Sequence, residues 1–169
     1  MMFEEGDAIV HPIRGVGVVV QVEERQWHGS NSLYYRVKLL NEEDTELMIS
    51  VDLAKGLGLR RAIPRSKLKQ VWRALCADPN KLPSNHKKRY KLVEDKLHAG
   101  DVFQVIEVVR DMAWRQRQEG RLNTMGKRMY DEGIGRLAGE IATAQNIDIK
   151  DAEVQLRAKL SESLPPAPA

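Results

Sequence analysis

The hydrophobic pattern of this 169-residue chain changes its period near residue 62, and that change constrains the fold more than any other feature. Before it, short segments rich in Val, Ile and Tyr are separated by turn residues such as Pro, Gly and Asn, a pattern typical of β-strands. Strands are predicted at residues 8–11, 15–23, 33–39 and 46–51. Four or five short strands cannot bury a broad flat sheet, so we expect a small, strongly curved β-barrel.

From Ser66 onward the apolar residues recur at the spacing of an α-helix. A first helix presents one apolar face, at i, i+3, i+4 and i+7, made of Leu68, Val71, Trp72 and Leu75. Further helices are predicted from their N-capping residues, which are Ser84 or Asn85, Asp101, Asn123 or Thr124, and Asp148. The sequence therefore predicts an α+β protein, with a β-domain over 1–62, a bundle of about five helices over 63–163 and a disordered tail over 164–169.

The sequence offers no recognisable site for catalysis or metal binding. Its single cysteine, Cys76, lies in an apolar helical pattern, and its four histidines are scattered without metal-ligand spacing. Neither a phosphate-binding loop nor a nucleophile elbow is present. The longest apolar stretches also fall well short of the roughly 20 residues that cross a bilayer. We therefore expect a non-enzymatic, cytoplasmic protein that uses no cofactor and contacts no membrane.

Charge is distributed unevenly along the chain. Residues 1–62 carry seven Lys or Arg against ten Asp or Glu, whereas the remainder carries 20 against 14. Between positions 60 and 91 the only acidic residue is Asp78, and the basic residues are Arg60, Arg61, Arg65, Lys67, Lys69, Arg73, Lys81, Lys87, Lys88, Arg89 and Lys91. Such a run is typical of a surface that binds a polyanion.

Short segments along the chain carry a further signal. They are FEEGDAIVHP at 3–12, GVGVV at 15–19, LGLR at 57–60, RYK at 89–91, GD at 100–101, VIEVVRDMAW at 105–114 and DAE at 151–153. In this order they resemble the CarD family of bacterial transcription regulators. The first module of that family, the RNA-polymerase interaction domain, also occurs in the transcription-repair coupling factor, where it is attached to a helicase motor too large for 169 residues.

The resemblance implies a Tudor-like fold for the β-domain, which would dock on the β subunit of bacterial RNA polymerase. It also implies that the helical domain contacts promoter DNA near the upstream edge of the transcription bubble and stabilises the open complex. The partners that follow are RNA polymerase and promoter DNA. We expect the protein to be nucleoid-associated and to act as a monomer.

Three residues are assigned to the polymerase contact through this resemblance. Arg25 falls where the family carries an arginine that contacts the β subunit, and a second family arginine is replaced at or beside Met48. Trp27 precedes the turn residues His28 and Gly29, so it either anchors the interface or packs over the open edge of the barrel. The alternative for Arg25 is an ordinary solvated charge at the end of a strand.

The residues assigned to DNA are His86, Lys87, Lys88, Arg89, Tyr90 and Lys91. On a helix the three lysines share one broad face and can neutralise several phosphates at once, while Arg89 and Tyr90 lie beside them. His86 stands where the family carries a tryptophan that is wedged into the minor groove, and its smaller ring offers less apolar area. The alternative is a solvated helix surface.

The alternative function is a general nucleic-acid-binding protein that makes no polymerase contact. Such a protein would be expected to carry an aromatic-lined, basic barrel, yet residues 1–62 are net acidic. An enzyme has less support, because the chain contains none of the motifs considered above.

Overall fold

The computed structural model describes residues 2–167, apart from the side chain of Trp27. The chain divides into two compact units, residues 1–62 and residues 63–169. The first is built on an antiparallel sheet and the second on helices, so the α+β class predicted from the sequence is confirmed. Among the described residues, no helix is long and apolar enough to cross a membrane.

The first unit contains one short helix and a five-stranded sheet in the order β4-β3-β2-β1-β5. Its elements are β1 (Ala8–His11), β2 (Gly15–Trp27), β3 (Ser30–Leu39), β4 (Glu46–Ser50), α1 (Val51–Ala54) and β5 (Arg60–Arg61). The described ladders pair β4 with β3 and β5 with β1, so they form an open sheet and do not show closure of the small barrel that the sequence predicts. Helix α1 begins at Val51, which the sequence prediction placed at the end of β4.

The β2–β3 hairpin is longer than predicted. His28 and Gly29 have φ angles of 50° and 81°, the left-handed values that a two-residue type I′ turn requires at both central positions. This turn continues the β2–β3 ladder outward to the pair Trp27 and Ser30. The sequence prediction stopped at residue 23 because the next residues are polar on both faces, but pairing does not require burial. The extension carries Arg25 on a regular strand.

The core of the first unit depends on close contact between β2 and β3. A side chain at Gly17 would place Cβ only 2.6 Å from Val37 Cγ1 and 2.9 Å from the Lys38 carbonyl oxygen, so glycine is needed there. Tyr35 is fully buried, and its hydroxyl accepts a hydrogen bond from the Phe3 backbone N–H at 3.2 Å. The amino-terminal segment is thereby attached to the centre of the sheet.

The α-helices of the described part of the second unit are α2 (Leu68–Leu75), α3 (His86–Leu97), α4 (Val102–Glu119), α5 (Thr124–Gln145) and α6 (Ile149–Ser163). In four of them the side-chain oxygen of the N-cap residue accepts a hydrogen bond from a backbone N–H of the first turn, and these cap residues are Asn85, Asp101, Asn123 and Asp148. Asn85 and not Ser84 therefore caps α3, and Asn123 and not Thr124 caps α5. The fully buried side chains of this core include Ile106, Val109, Ile134, Leu137 and Leu156.

The end of the helical unit lies slightly beyond residue 163, where we placed it. Leu164 is buried, and Arg117 Nη1 donates to the carbonyl oxygens of Leu164 and Pro165 at 2.8 and 2.9 Å. These charge-assisted bonds satisfy carbonyl groups that the end of α6 leaves open. The tail expected to be disordered from residue 164 is thus attached through Pro165, and residues 168–169 lie outside the described part.

Candidate functional site

The exposed face of strands β2, β3 and β4, called here the β face, carries Gln21, Glu23, Arg25, Arg36 and Met48. Strand register places Arg36 directly between Gln21 on β2 and Met48 on β4. Glu23 accepts a hydrogen bond from Arg25 Nε at 3.0 Å, and its other oxygen lies 3.1 Å from Arg36 Nε, without hydrogen-bond alignment. One carboxylate therefore holds two guanidinium groups on the same surface.

The structure brings two of the three predicted polymerase residues onto the β face. The Arg25 side chain is 59% exposed and Met48 is 42% exposed, so both can meet a partner. The side chain of Trp27, the third, lies outside the described structure. Sequence reasoning missed Arg36, the cross-strand partner of Met48. Extending both strands to the turn at His28 and Gly29 would have placed Arg36 opposite Gln21 on this face, because the turn sets the β2–β3 register.

The first turn of α3 presents the predicted groove-binding residue to solvent. His86 is exposed at the first helical position, while Asn85 is the cap and accepts the Lys88 N–H at 3.1 Å. The His86 ring centroid lies 6.2 Å from that of Tyr90, one turn on, at an angle of 59°. Tyr90 is half-buried and its hydroxyl is hydrogen-bonded by Asn123 Nδ2. The ring of Tyr90 thus lies beside the ring of His86.

The three lysines of this segment are all exposed, but their ionic surroundings differ. Lys91 lies 3.5 Å from Asp95, four residues further along the helix, a carboxylate beyond the basic run that we counted. Within the described residues, Lys87 and Lys88 have no ion pair. Two of the three ammonium groups are therefore uncompensated beside the amino-terminal end of α3.

Arg89 does not belong to this exposed surface. It is 5% exposed, and its Nη1 donates to the carbonyl oxygens of Pro83 and Ser84 at 3.0 Å each. The guanidinium carbon also lies 5.2 Å from the centroid of the Tyr90 ring. A buried guanidinium bound to two carbonyls orders the loop before α3, so Arg89 positions the site and offers little to a ligand on this side.

Comparison with known proteins assigns both units. Residues 3–63 match the family described as "CarD-like/TRCF RID domain", and residues 70–157 match the family described as "CarD, C-terminal domain". The protein "Putative transcription factor YdeB" of Bacillus subtilis (strain 168) is 28% identical to this chain over 149 residues, which cover 88% of this chain and 96% of the relative. In the described residues, no group of three or more His, Cys, Asp or Glu could hold a metal ion.

We expect Arg89→Met to lower the free energy of unfolding of the helical unit by about 1–3 kcal/mol, because the carbonyl oxygens of Pro83 and Ser84 lose a charged donor. The measurement is urea denaturation of the full chain followed by helical circular dichroism. Lys88→Met, an exposed neighbour on the same helix, is the control and should change stability by less than about 0.5 kcal/mol. Equal stabilities of the two variants would contradict the positioning role of Arg89.

Proposed function

Because the chain belongs to the CarD family of transcription regulators, we propose that it binds the β subunit of RNA polymerase through its first unit and promoter DNA through its second. One observation carries the proposal: the two matched domains occur in order in one chain, and each presents an exposed surface with cationic side chains at the predicted position. The protein acts in this proposal as a regulator that catalyses no reaction.

The polymerase contact is assigned to the β face. Guanidinium groups bind carboxylates and carbonyl oxygens through a planar set of donors, and Arg25 and Arg36 are already oriented by Glu23. Holding a side chain in place before binding reduces the entropy lost on association. Met48 adds exposed apolar area beside Arg36, so the surface combines two cations with a flexible thioether. The resemblance implies an arginine at or beside Met48. Arg36, on the adjacent strand, supplies a cation next to that position.

The DNA contact is assigned to the amino-terminal turn of α3. Lys87 and Lys88 project from this turn without ion pairs in the described structure and can bind phosphates. At this turn the Asn85 side-chain oxygen is engaged in the helix cap and Arg89 is buried, so neither presents the paired groups that read base edges in the major groove. Binding should therefore depend on the phosphates and on groove shape, with His86 at the groove.

Stabilisation of the open promoter complex follows from linked equilibria. A protein that binds polymerase with opened DNA more tightly than polymerase with closed DNA shifts the balance by that difference in binding free energy alone. A difference of about 1.4 kcal/mol changes the ratio of open to closed complexes tenfold. Such a difference is within reach of a few phosphate contacts and one side chain in the groove.

We expect Arg25→Glu to weaken binding of the full chain to purified RNA polymerase β fragment at least tenfold, because the carboxylate reverses a charge on the β face. Arg36→Met should also weaken binding, and the double variant Arg36→Met, Met48→Arg should recover part of it by moving the guanidinium to β4. Titration calorimetry measures each affinity. Lys55→Glu, an exposed change away from the β face, is the control. Arg25→Glu with wild-type affinity would refute the assignment.

Replacing Lys87, Lys88 and Lys91 by Ala should lower affinity for unrelated DNA sequences alike, since phosphates carry no base identity. The slope of log affinity against log salt should become shallower by about 0.9 for each lost phosphate contact. Lys91 should contribute least, because Asp95 already neutralises part of its charge. Fluorescence anisotropy with labelled duplexes measures the slope, and a triple variant with the wild-type slope would place the DNA elsewhere.

Enlarging the side chain at His86 should lengthen the lifetime of the open complex, because a larger ring separates a base step more effectively. We expect His86→Trp to prolong the lifetime and His86→Ala to shorten it modestly, with β-fragment binding unchanged in both. Asn85 is the helix cap, so neither variant should alter thermal stability appreciably. Lifetimes are measured on one promoter with a competitor trap, beside melting curves. Equal lifetimes for all three proteins would exclude the wedge.

A further inference from the structure

We propose that a groove at the start of α5, about 530 Å³ in volume, binds a phosphate group through Arg115 and Arg121. Its charged walls are formed by Arg89, Arg115, Arg121 and Glu119, and apolar contact comes from Met112 and Leu122. These arginines come from three elements, namely α3, α4 and the α4–α5 loop. The groove is polar, concave and predominantly cationic.

The groove has more positive charge than its own carboxylate can neutralise. Among the described residues that line it, three carry guanidinium groups and one, Glu119, carries a carboxylate. Arg89 is committed to the carbonyl oxygens of Pro83 and Ser84, whereas Arg115 and Arg121 have no hydrogen bond or ion pair in the described part of the chain. Two guanidinium groups with unused donors at one concave surface suit the tetrahedral oxygens of a phosphate, which they can bind in bidentate fashion.

The groove shares a wall with the α3 surface. Asn123 lines the groove, and its amide donates to the hydroxyl of Tyr90, on which the ring of His86 rests. Arg89 also lines the groove while it holds the loop before α3. A DNA strand that passes His86 is therefore adjacent to the groove and can place a backbone phosphate in it. This step rests on the proposed function, and it extends the DNA contact to α4 and the α4–α5 loop.

A phosphate group can reach the groove from two sources, the backbone of DNA or a free phosphate ester. The chemistry of recognition is the same for both, because the guanidinium groups contact only phosphate oxygens. The two sources differ in salt dependence: each backbone phosphate that is bound releases condensed counterions from DNA, and a free phosphate releases none of these. The experiment therefore has two arms.

The first arm measures DNA binding by the full chain with the variants Arg115→Gln and Arg121→Gln. Each variant should lower affinity for labelled duplex DNA and make the log–log salt slope shallower by about 0.9. Lys150→Gln, which removes one exposed positive charge at the start of α6, is the matched control and should keep the wild-type slope. Arg115→Lys should retain most of the slope, since the charge remains. Melting curves of all variants identify any loss of folding.

The second arm titrates inorganic phosphate into the wild-type chain and both Gln variants, with backbone amide resonances as the readout. Saturable shifts at residues 121–126 that disappear in the variants would support the groove as a site for a free phosphate group. Shallower salt slopes in the first arm would support it as a site for the DNA backbone. Wild-type slopes together with no saturable phosphate shift would overturn the proposal. If the wild-type chain binds no DNA while phosphate still saturates the groove, the proposed function fails and the groove assignment stands.

Discussion

The position of the α3 surface depends on one buried cation. A guanidinium removed from water costs several kcal/mol unless it finds hydrogen-bond acceptors, and Arg89 Nη1 donates to the carbonyl oxygens of Pro83 and Ser84. Those two carbonyls belong to the loop that leads directly into the Asn85 cap. The same guanidinium fixes where α3 begins, which way its first turn faces and where one wall of the neighbouring groove lies.

Other buried charges attach irregular segments to the helices of the second unit in the same way. Arg110 is paired with Asp111 at 2.9 Å and donates to the Ala74 carbonyl oxygen at the end of α2. The buried carboxylate of Glu140 accepts the backbone N–H of Ile63 at 3.1 Å. In this unit buried arginines and carboxylates mainly hold loops, and exposed lysines remain available for a partner. A basic residue in the sequence therefore has no single meaning, since burial decides between a structural and a binding role.

Much of the fold could be predicted from local patterns, and the main errors arose where a residue acts through distant partners. The Asn and Asp caps were recognisable because their side chains bond to N–H groups two or three residues away. The hairpin turn at His28 and Gly29 was recognised, but the strands beside it were predicted too short, because their outer residues are polar on both faces. Arg89 was counted with the exposed cations of its run, since nothing local shows that its carbonyl partners are already in place. The arginine groove joins α3, α4 and the α4–α5 loop, so no window of sequence contains it.

Because charge is divided between the two units, a small DNA-binding surface on the second unit can be sufficient for regulation. The first unit is net acidic and the second net basic, so a polyanion is attracted to the second unit and repelled by the first. On the proposed function, polymerase holds the first unit, and the DNA contact then becomes an intramolecular event at an effective concentration of the order of millimolar. A surface with two uncompensated lysines and one histidine need not bind free DNA tightly under those conditions. It needs only to bind the opened promoter better than the closed one, and for this discrimination the shape of the groove at His86 matters more than the number of phosphates contacted.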